Sequence, residues 1–422
     1  MSPRGLWRDA FVRGPVGRST LVLLALRVIY AYNWFDIGPG LPGIGATFGV
    51  GEGDWGLLLA AFMVGAGLLQ VPSGFMSRTW GSRRVSLAGL WILGLSGVGS
   101  AFSPHFGILL LLRGLAGAGA GMFFSPAIGL VGDLHSQGTR GVALGTFGLI
   151  FGAGASLGVF GSAILVPRVG WQGALILGAL PLLALTFGAE GLIPRSAGTP
   201  APPLPRGSGS RIPMALRLRS VWALGLAFTG IEGAAYTVGQ YLVPYVQITQ
   251  ALPPESAGIL GALFVFPQAL GGPLGGRGAE KFGRWRWQMA LPGLVAGGSV
   301  ALIPELGSLG LGLVGSVFAV SYGYSYAVMY VLPRHLPELP LPEVPLAIGL
   351  FNGIQLAGAA ACADLFALIV ASATFSVAWM VLGTLAVVPM LFLAWVPAGP
   401  PRPARTPSRG DGEGDGPSGD PL

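Results

Sequence analysis

Residues 276–286 read Gly276-Arg277-Gly278-Ala279-Glu280-Lys281-Phe282-Gly283-Arg284-Trp285-Arg286. An earlier stretch, residues 74–84, reads Gly74-Phe75-Met76-Ser77-Arg78-Thr79-Trp80-Gly81-Ser82-Arg83-Arg84. Each stretch is a short basic turn between two long apolar runs. That pattern is typical of a loop that joins two transmembrane helices on the cytoplasmic side of a membrane.

A constant spacing relates the two turns. An offset of 202 residues, with no gap, pairs Pro42 with Pro244, Thr47 with Thr249, Gly56 with Gly258, Gly81 with Gly283 and Arg84 with Arg286. Matching turn glycines, prolines and an arginine at one offset indicates a chain built of two homologous halves.

The composition predicts a polytopic membrane protein. Hydrophobic residues make up 52% of the chain and charged residues 10%, and the mean hydropathy is +0.69. These values lie outside the usual range of soluble domains. The net charge of +7 does not indicate nucleic acid binding, because the basic residues lie in turns beside apolar runs. The single cysteine, Cys362, excludes an intrachain disulfide.

Twelve segments contain the about 20 apolar residues that one crossing needs. They are 19–47, 54–77, 84–103, 107–132, 141–166, 170–192, 220–247, 256–279, 286–304, 307–333, 345–371 and 374–396. We expect an all-α membrane protein with twelve transmembrane helices in two pseudo-symmetric six-helix bundles. The predicted parts are a cytoplasmic N-terminus (1–18), a bundle (19–193), a cytoplasmic linker (194–219), a second bundle (220–396) and a disordered cytoplasmic tail (397–422).

The basic residues predict the orientation. If both termini are cytoplasmic, 21 of the 24 Lys and Arg residues lie in cytoplasmic segments, and only Arg168 lies in an outer loop. Such an asymmetry follows the positive-inside rule. We therefore expect an integral protein of the plasma (cytoplasmic) membrane with both termini in the cytoplasm and with the first apolar run retained.

Few ionisable residues are predicted at bilayer depth, and each is a functional hypothesis by default. They are Arg27, Asp36, Arg113, Glu232 and Asp364. Asp36 lies about midway along the first span, just before two prolines, where a discontinuous helix could face a water-filled cavity. Tyr32 and Asn33 precede it by about one helical turn and extend a polar face.

Glu232 lies near the middle of the seventh span, which corresponds to the first span in the repeat. Tyr236 and Gln240 follow it at intervals of four, so the three side chains share one helix face. A neutral carboxylic acid costs less in the bilayer than a carboxylate, which makes Asp36 and Glu232 candidates for proton coupling. The alternative for each acid is a structural ion pair or a permanently neutral, hydrogen-bonded group.

The two buried arginines receive different predictions. Arg27 lies nine residues before Asp36, on the opposite helix face, and near the cytoplasmic end of its span. We therefore expect its guanidinium to reach the membrane surface. Arg113 lies deeper, and could bind an anionic substrate, pair with Asp36 or Asp364, or support the fourth helix.

Aromatic and amide side chains suggest a solute site. Tyr322, Tyr326 and Tyr330 recur every four residues in the tenth span, and Asn352 and Gln355 lie one turn apart in the eleventh. Such groups can stack on an organic solute and hydrogen-bond to it, although tyrosine is also common at membrane interfaces. The substrate-binding candidates are therefore Tyr32, Asn33, Arg113, Tyr236, Gln240, Tyr322, Tyr326, Asn352 and Gln355.

No motif indicates an enzyme. The chain has no Gly-x-x-x-x-Gly-Lys-Ser/Thr phosphate loop, and its three histidines, His105, His135 and His335, are far apart in sequence. We expect neither a cofactor nor a bound metal.

The turns and the six-plus-six spans resemble the major facilitator superfamily over nearly the whole chain except the tail. The residues that match its loop signature, and that the resemblance implicates in gating, are Gly74, Gly81, Arg83, Arg84, Gly276, Glu280, Lys281, Gly283, Arg284 and Arg286. The first copy departs from the signature, because Arg78 and Thr79 replace the usual acidic and basic residues. The resemblance therefore leaves Glu280 as the better candidate for a cytoplasmic latch between the halves.

The resemblance implies a secondary active transporter that moves a small organic solute by alternating access and is coupled to protons. Two alternatives remain: a proton-driven efflux pump for drugs or sugars, and a non-transporting membrane sensor on the same fold. The nitrate-transporting branch of the family places an arginine in the second and eighth spans, and both lack one here, which disfavours nitrate. The implied partners are a small-molecule substrate, protons or another coupling ion, and the lipid bilayer. We expect no nucleic acid partner and a monomeric protein.

Overall fold

The computed structural model describes residues 14–198, 213–340 and 343–399. Most of the predicted N-terminal segment, the centre of the predicted linker and nearly all of the predicted tail lie outside these ranges. The domain boundaries predicted at those places therefore stay predictions.

The first half contains six helices of very different length. The first crossing is interrupted, because α1 ends at Tyr32 and a 3₁₀ turn at Gly38–Gly40 precedes α2. The sixth helix is two crossings in one, since Gly170 has a φ of 74° and breaks it. The helices are α1 (Gly14–Tyr32), α2 (Leu41–Phe48), α3 (Glu52–Trp80), α4 (Ser82–Ala101), α5 (Phe106–Leu134) and α6 (Gln137–Leu192).

The second half repeats the arrangement with a break in a different crossing. Its first long helix is continuous, and the crossing after it is divided by a turn at residues 264–267. A 3₁₀ segment, Val388–Trp395, completes the last crossing. The helices are α7 (Met214–Arg217), α8 (Arg219–Gln250), α9 (Pro254–Leu263), α10 (Gln268–Phe282), α11 (Trp285–Ala301), α12 (Ser308–Val331), α13 (Val344–Ser372) and α14 (Phe375–Val387).

The described helices agree with the predicted membrane architecture. Nine helical stretches in the described ranges are long and apolar enough to cross a membrane. One of them, Gly138–Leu192, is divided at Gly170 into two crossings. The interrupted segment 14–48 and the 17-residue α11 account for the remaining two of the twelve predicted spans. The prediction of an all-α membrane protein is confirmed, and the described helices are consistent with twelve spans in two six-helix bundles.

The halves pack closely through α3 with α13 and through α6 with α9. Small residues permit this approach. A Cβ atom at Gly56 of α3 would lie 2.7 Å from the Cα atom of Asp364 in α13, so the two backbones nearly touch there. The interface is thus formed by backbone contact as well as by side chains.

The two basic turns have the positive φ that their glycines predict. The φ angle is 86° at Gly81 and 64° at Gly283, a region that favours glycine. Helix α4 begins directly after Gly81, whereas Arg284, with a φ of 30°, intervenes between Gly283 and the start of α11. The second turn therefore has one extra residue.

The extra residue changes which arginines correspond. Arg83 Nε donates to the Ile193 carbonyl oxygen at 3.1 Å, and Arg286 Nε donates to the Val396 carbonyl oxygen. Both bonds connect the start of the third crossing of a half to the end of its sixth, and both span 110 residues. Arg83 is therefore the residue of the first half that is structurally equivalent to Arg286. The gapless pairing of Arg84 with Arg286 was wrong by one residue.

Candidate functional site

A cavity lies where the two halves meet. Its cavity volume is about 30 Å³. Helices from both halves line it, and most of its walls are aromatic or apolar. The lining residues are Trp34, Phe35, Met63, Phe151, Glu232, Ala235, Tyr236, Phe264, Val265, Gln268, Phe318 and Tyr322.

Glu232 is the ionisable carboxyl group in this lining. Helix α8 directs Glu232 and Tyr236 into the cavity one turn apart, as their four-residue spacing predicts. The Tyr322 hydroxyl of α12 donates a 2.6 Å hydrogen bond to Glu232 Oε2. Glu232 is half-buried, and its side chain borders the cavity.

Two tyrosines of α12, Tyr326 and Tyr330, form one hydrogen-bonded network with the two amides of α13. The Tyr326 and Tyr330 hydroxyl oxygens lie 2.9 Å apart, and the Tyr330 hydroxyl donates to Asn352 Oδ1 at 2.8 Å. Gln355 Nε2 also donates to Asn352 Oδ1. The structure thus brings these predicted residues together, although Tyr322 is the member of the tyrosine stripe that lines the cavity.

Asp36 and Arg113 form a buried ion pair inside the first half. Asp36 lies in the break between α1 and the 3₁₀ turn, and its Oδ1 atom is 3.6 Å from Arg113 Nη1 of α5. Both side chains are 2% exposed. Of the partners considered for Arg113, Asp36 is the one observed. The pair retains bonding capacity, because Asp36 Oδ1 and Arg113 Nε and Nη2 have no hydrogen-bond partner.

Tyr32 lies against both parts of α6 and Asn33 against its second part, and neither residue lines the cavity. Asn33 Nδ2 donates to the Ile29 carbonyl oxygen at 2.8 Å and to the Gly178 carbonyl oxygen at 3.2 Å. The Tyr32 ring is close to Gly161 and Gly178, and its hydroxyl has no hydrogen-bond partner. These contacts hold the broken first crossing onto its own half.

The end of the cavity remote from the basic turns is closed by contacts between the first crossing and α8. Gln240 Nε2 donates to the Trp34 carbonyl oxygen at 2.7 Å. Gly38 lies so close that an added Cβ atom would be 2.7 Å from the Gln240 Cα atom. The Phe35 and Tyr236 rings also meet there, with centroids 5.7 Å apart. Gln240 therefore connects the halves instead of lining the cavity.

Arg27 is buried, so the prediction that it reaches the membrane surface was wrong. It is 5% exposed, and its guanidinium carbon lies 4.7–5.0 Å from the centroids of four aromatic rings. The rings belong to Tyr30, Phe124, Phe147 and Phe151. Each ring face attracts a cation, by roughly 0.5–2 kcal/mol, which offsets part of the cost of burial.

The predicted gating residues of the second turn lie at the surface. Glu280, Lys281 and Arg284 are exposed, and Gly276 has no close neighbour in the described ranges. In the first turn Arg84 is exposed, and Gly74 likewise has open space beside it. Within the described residues no ion pair joins Glu280 to the other half. The latch role of Glu280 therefore stays a prediction.

The aromatic lining of the cavity was missed by sequence reasoning. Trp34, Phe151, Phe264 and Phe318 are indistinguishable in sequence from aromatics that face lipid. Gln268 could have been predicted from the sequence, because it is, like Asn352, a polar amide inside an apolar run.

Comparison with known proteins gives a family match. The model described as Major Facilitator Superfamily matches residues 23–339. The chain is 26% identical over 195 residues to the puromycin resistance protein pur8 of Streptomyces alboniger, a match that covers 45% of this chain and 39% of that protein.

Two further proteins are similar over longer ranges. The chain is 29% identical over 299 residues to the probable nitrate/nitrite antiporter NarK1 of Thermus thermophilus, covering 68% of this chain and 66% of that protein. The crystal structure of the D-xylose-proton symporter superimposes with a TM-score of 0.72 at 16% identity, covering 90% of this chain and 97% of the other. That structural likeness shows a common fold.

Proposed function

The chain belongs to the Major Facilitator Superfamily, and we propose that it is a secondary active transporter that moves a small organic solute by alternating access, coupled to protons. One observation carries the proposal. A carboxyl group, that of Glu232, lies in a cavity between the two halves, where a solute and a proton would meet.

Glu232 is the primary candidate for the proton carrier. Protonation would neutralise the cavity and give the carboxyl group a donor beside its remaining acceptor oxygen, so the hydrogen bond from Tyr322 would weaken or rearrange. Because α8 and α12 contribute the two partners, that rearrangement would act on the contact between two helices. A change in proton occupancy would thereby bias the balance between two conformations.

Asp36 is a second candidate through its pairing with Arg113. Protonation of Asp36 would remove the charge that Arg113 now faces at 3.6 Å. The broken first crossing would then be less strongly attached to α5. The same crossing also makes the hydrogen bond with Gln240 that closes one end of the cavity. Proton binding at Asp36 would therefore weaken this closing contact.

The lining favours a solute with an apolar or aromatic body. Trp34, Phe151, Phe264 and Phe318 present rings that can stack on such a body, and Gln268 adds an amide. The same walls would also suit export of amphipathic compounds, and pur8 is described as a resistance protein. Nitrate is not proposed, because it would leave these rings unused.

The remaining features of the proposal follow from charge and topology. We place the protein in the plasma membrane as a monomer, with both termini in the cytoplasm and with bundles at 19–193 and 220–396. Glu280 would form its latch contact in the conformation that is open to the outside.

Purified protein tests the function directly. A solute that binds the folded state raises the melting temperature, so a solute library is screened at two pH values, and each stabilising solute is then tested for proton movement in proteoliposomes. Solute-driven proton flux that disappears in Glu232→Gln supports the proposal. Stabilising solutes that move no protons with the wild-type protein refute the coupling, and stabilising solutes that are not moved at all favour a sensor.

A further inference from the structure

Arg27 is a buried cation without a carboxylate partner. Its side chain is 5% exposed, and in the described ranges no carboxylate lies within 4.0 Å of the guanidinium. The Nε and Nη1 atoms have no hydrogen-bond partner. The four aromatic rings offset part of the cost of burying the charge, but these two donor groups stay unused, which is costly at bilayer depth.

The surroundings of Arg27 connect it to the cavity. The Phe151 ring, 4.7 Å from the guanidinium carbon, is also part of the cavity wall. The Tyr326 and Tyr330 side chains of the other half also lie near Arg27. Arg27 therefore lies beside the cavity at the meeting of the two halves, one aromatic ring away from the space that a solute would occupy.

The other charges nearby do not compensate Arg27. Asp36 is already matched by Arg113 at 3.6 Å. Glu232 is bonded to Tyr322, on a different helix from the aromatic rings around Arg27. The charge that would balance Arg27 is missing from the described residues, and an anionic ligand would supply it.

We propose that Arg27 binds the carboxylate of an organic anion whose apolar or aromatic body lies against the cavity walls. The inference rests on the proposed transport function, because it assigns the substrate class of the same cavity. A guanidinium donates charge-assisted hydrogen bonds to a carboxylate, and the Nε and Nη1 atoms of Arg27 each keep a donor that is not used. Phe151, which contacts Arg27 and lines the cavity, would have to turn aside so that the carboxylate could reach the guanidinium.

The competing explanation is that Arg27 only stabilises the packing of α1 on α5 and α6 through its four ring contacts. The two explanations differ in what a ligand should prefer. A packing role gives no preference between anions and neutral analogues, whereas a binding role gives a large one.

The test compares charged and neutral ligands of the same shape. Benzoate and phenylacetate, their amides and the corresponding amines are titrated onto the purified full chain, with affinity measured by thermal shift and by isothermal titration. Four proteins are compared: wild type, Arg27→Gln, Arg27→Lys, and Arg18→Gln, which removes an exposed arginine from the same helix.

In wild type and Arg18→Gln we expect carboxylates to bind at least roughly tenfold more tightly than amides, since a charged hydrogen bond is lost in the amide complex. Arg27→Gln should lose this preference, and Arg27→Lys should retain part of it and so exclude misfolding as the cause. Equal carboxylate affinity in wild type and Arg27→Gln overturns the proposal, as does a wild-type preference for amides or amines.

A transport assay separates this proposal from the proposed function. Counterflow of labelled ligand is measured in proteoliposomes with the same four proteins. If wild type binds carboxylates through Arg27 but does not move them, the anion site stands and the transport function fails. If wild type moves neutral or cationic solutes and Arg27→Gln does so equally well, transport stands and the anion site fails.

Discussion

The Tyr322 hydroxyl donates a 2.6 Å hydrogen bond to the Glu232 carboxyl group and so connects α12 to α8 at the cavity wall. We expect Glu232→Gln to abolish solute-driven proton flux while solute counterflow continues, because exchange of solute requires no net proton transfer. Glu305→Gln, an exposed acid, is the control and should change neither readout. Proton flux that persists in Glu232→Gln would remove Glu232 from the coupling mechanism.

The same bond gives a second prediction about pH. Loss of one hydrogen bond costs about 0.5–1.5 kcal/mol. Tyr322→Phe should therefore change the pH profile of transport, with a difference of up to about tenfold in the transport rate at a given pH. The matched control is Tyr324→Phe, since the Tyr324 hydroxyl donates to Gln288 outside the cavity lining. Identical profiles for the two variants would show that the hydroxyl of Tyr322 does not act on Glu232.

The buried pair of Asp36 and Arg113 should show strong coupling in a double-mutant cycle. Arg113→Met leaves a buried carboxylate unpaired and should cost about 3–5 kcal/mol, whereas Asp36→Asn combined with Arg113→Met should cost much less than the sum of the single changes. Unfolding in detergent measures each variant.

The control for that cycle is the surface pair of Arg168 and Glu255, which also lies at 3.6 Å but is 60% and 57% exposed. It should show a coupling of about 0–1 kcal/mol. If both pairs gave the same small coupling, the buried pair would not be an ion pair in the folded protein.

Gly38→Ala should prevent full closure of the end remote from the basic turns. The new Cβ atom would overlap the Gln240 backbone, which cannot move aside as a flexible side chain could. Accessibility of single cysteines placed on that side, measured with a membrane-impermeant reagent, should rise. Gly51→Ala is the control, because nothing lies within 4 Å of its Cβ position. Equal accessibility in both variants would contradict the interpretation that this contact closes one end of the cavity.

The one-residue difference between the two basic turns predicts which arginines matter for stability. Arg83→Ala and Arg286→Ala each remove a charged hydrogen bond to the end of a sixth crossing and should each cost about 1.5–3 kcal/mol. Arg84→Ala, an exposed residue, should cost less than about 0.5 kcal/mol. A larger loss in Arg84→Ala than in Arg83→Ala would restore the gapless alignment.

Much of the fold could be predicted because membrane helices carry a strong signal. Apolar runs of sufficient length predicted spans that agree with the described helices. Gly81 and Gly283 indicated turns that need a positive φ. The register change could not be predicted, because Arg284 adopts a φ of 30° and no residue type at that position signals it.

The site was harder to predict because it depends on which helices meet. The spacing of Glu232 and Tyr236 gave their common face, but the partner of Glu232 comes from a helix 90 residues away. Arg27 shows the same limit. Its position near a helix end suggested the surface, whereas Phe124, Phe147 and Phe151 from two other helices enclose it.

The hydrogen bond from Gln240 to Trp34 uses a main-chain acceptor, which a continuous helix would have bonded to the amide of residue 38. The contact therefore does not depend on which side chain stands at position 34, although that side chain lines the cavity. Selection for a new solute can exchange the indole for another group while the closing contact persists. At this one residue, the side chain that would contact the solute can therefore change during evolution without loss of the main-chain hydrogen bond that closes the cavity.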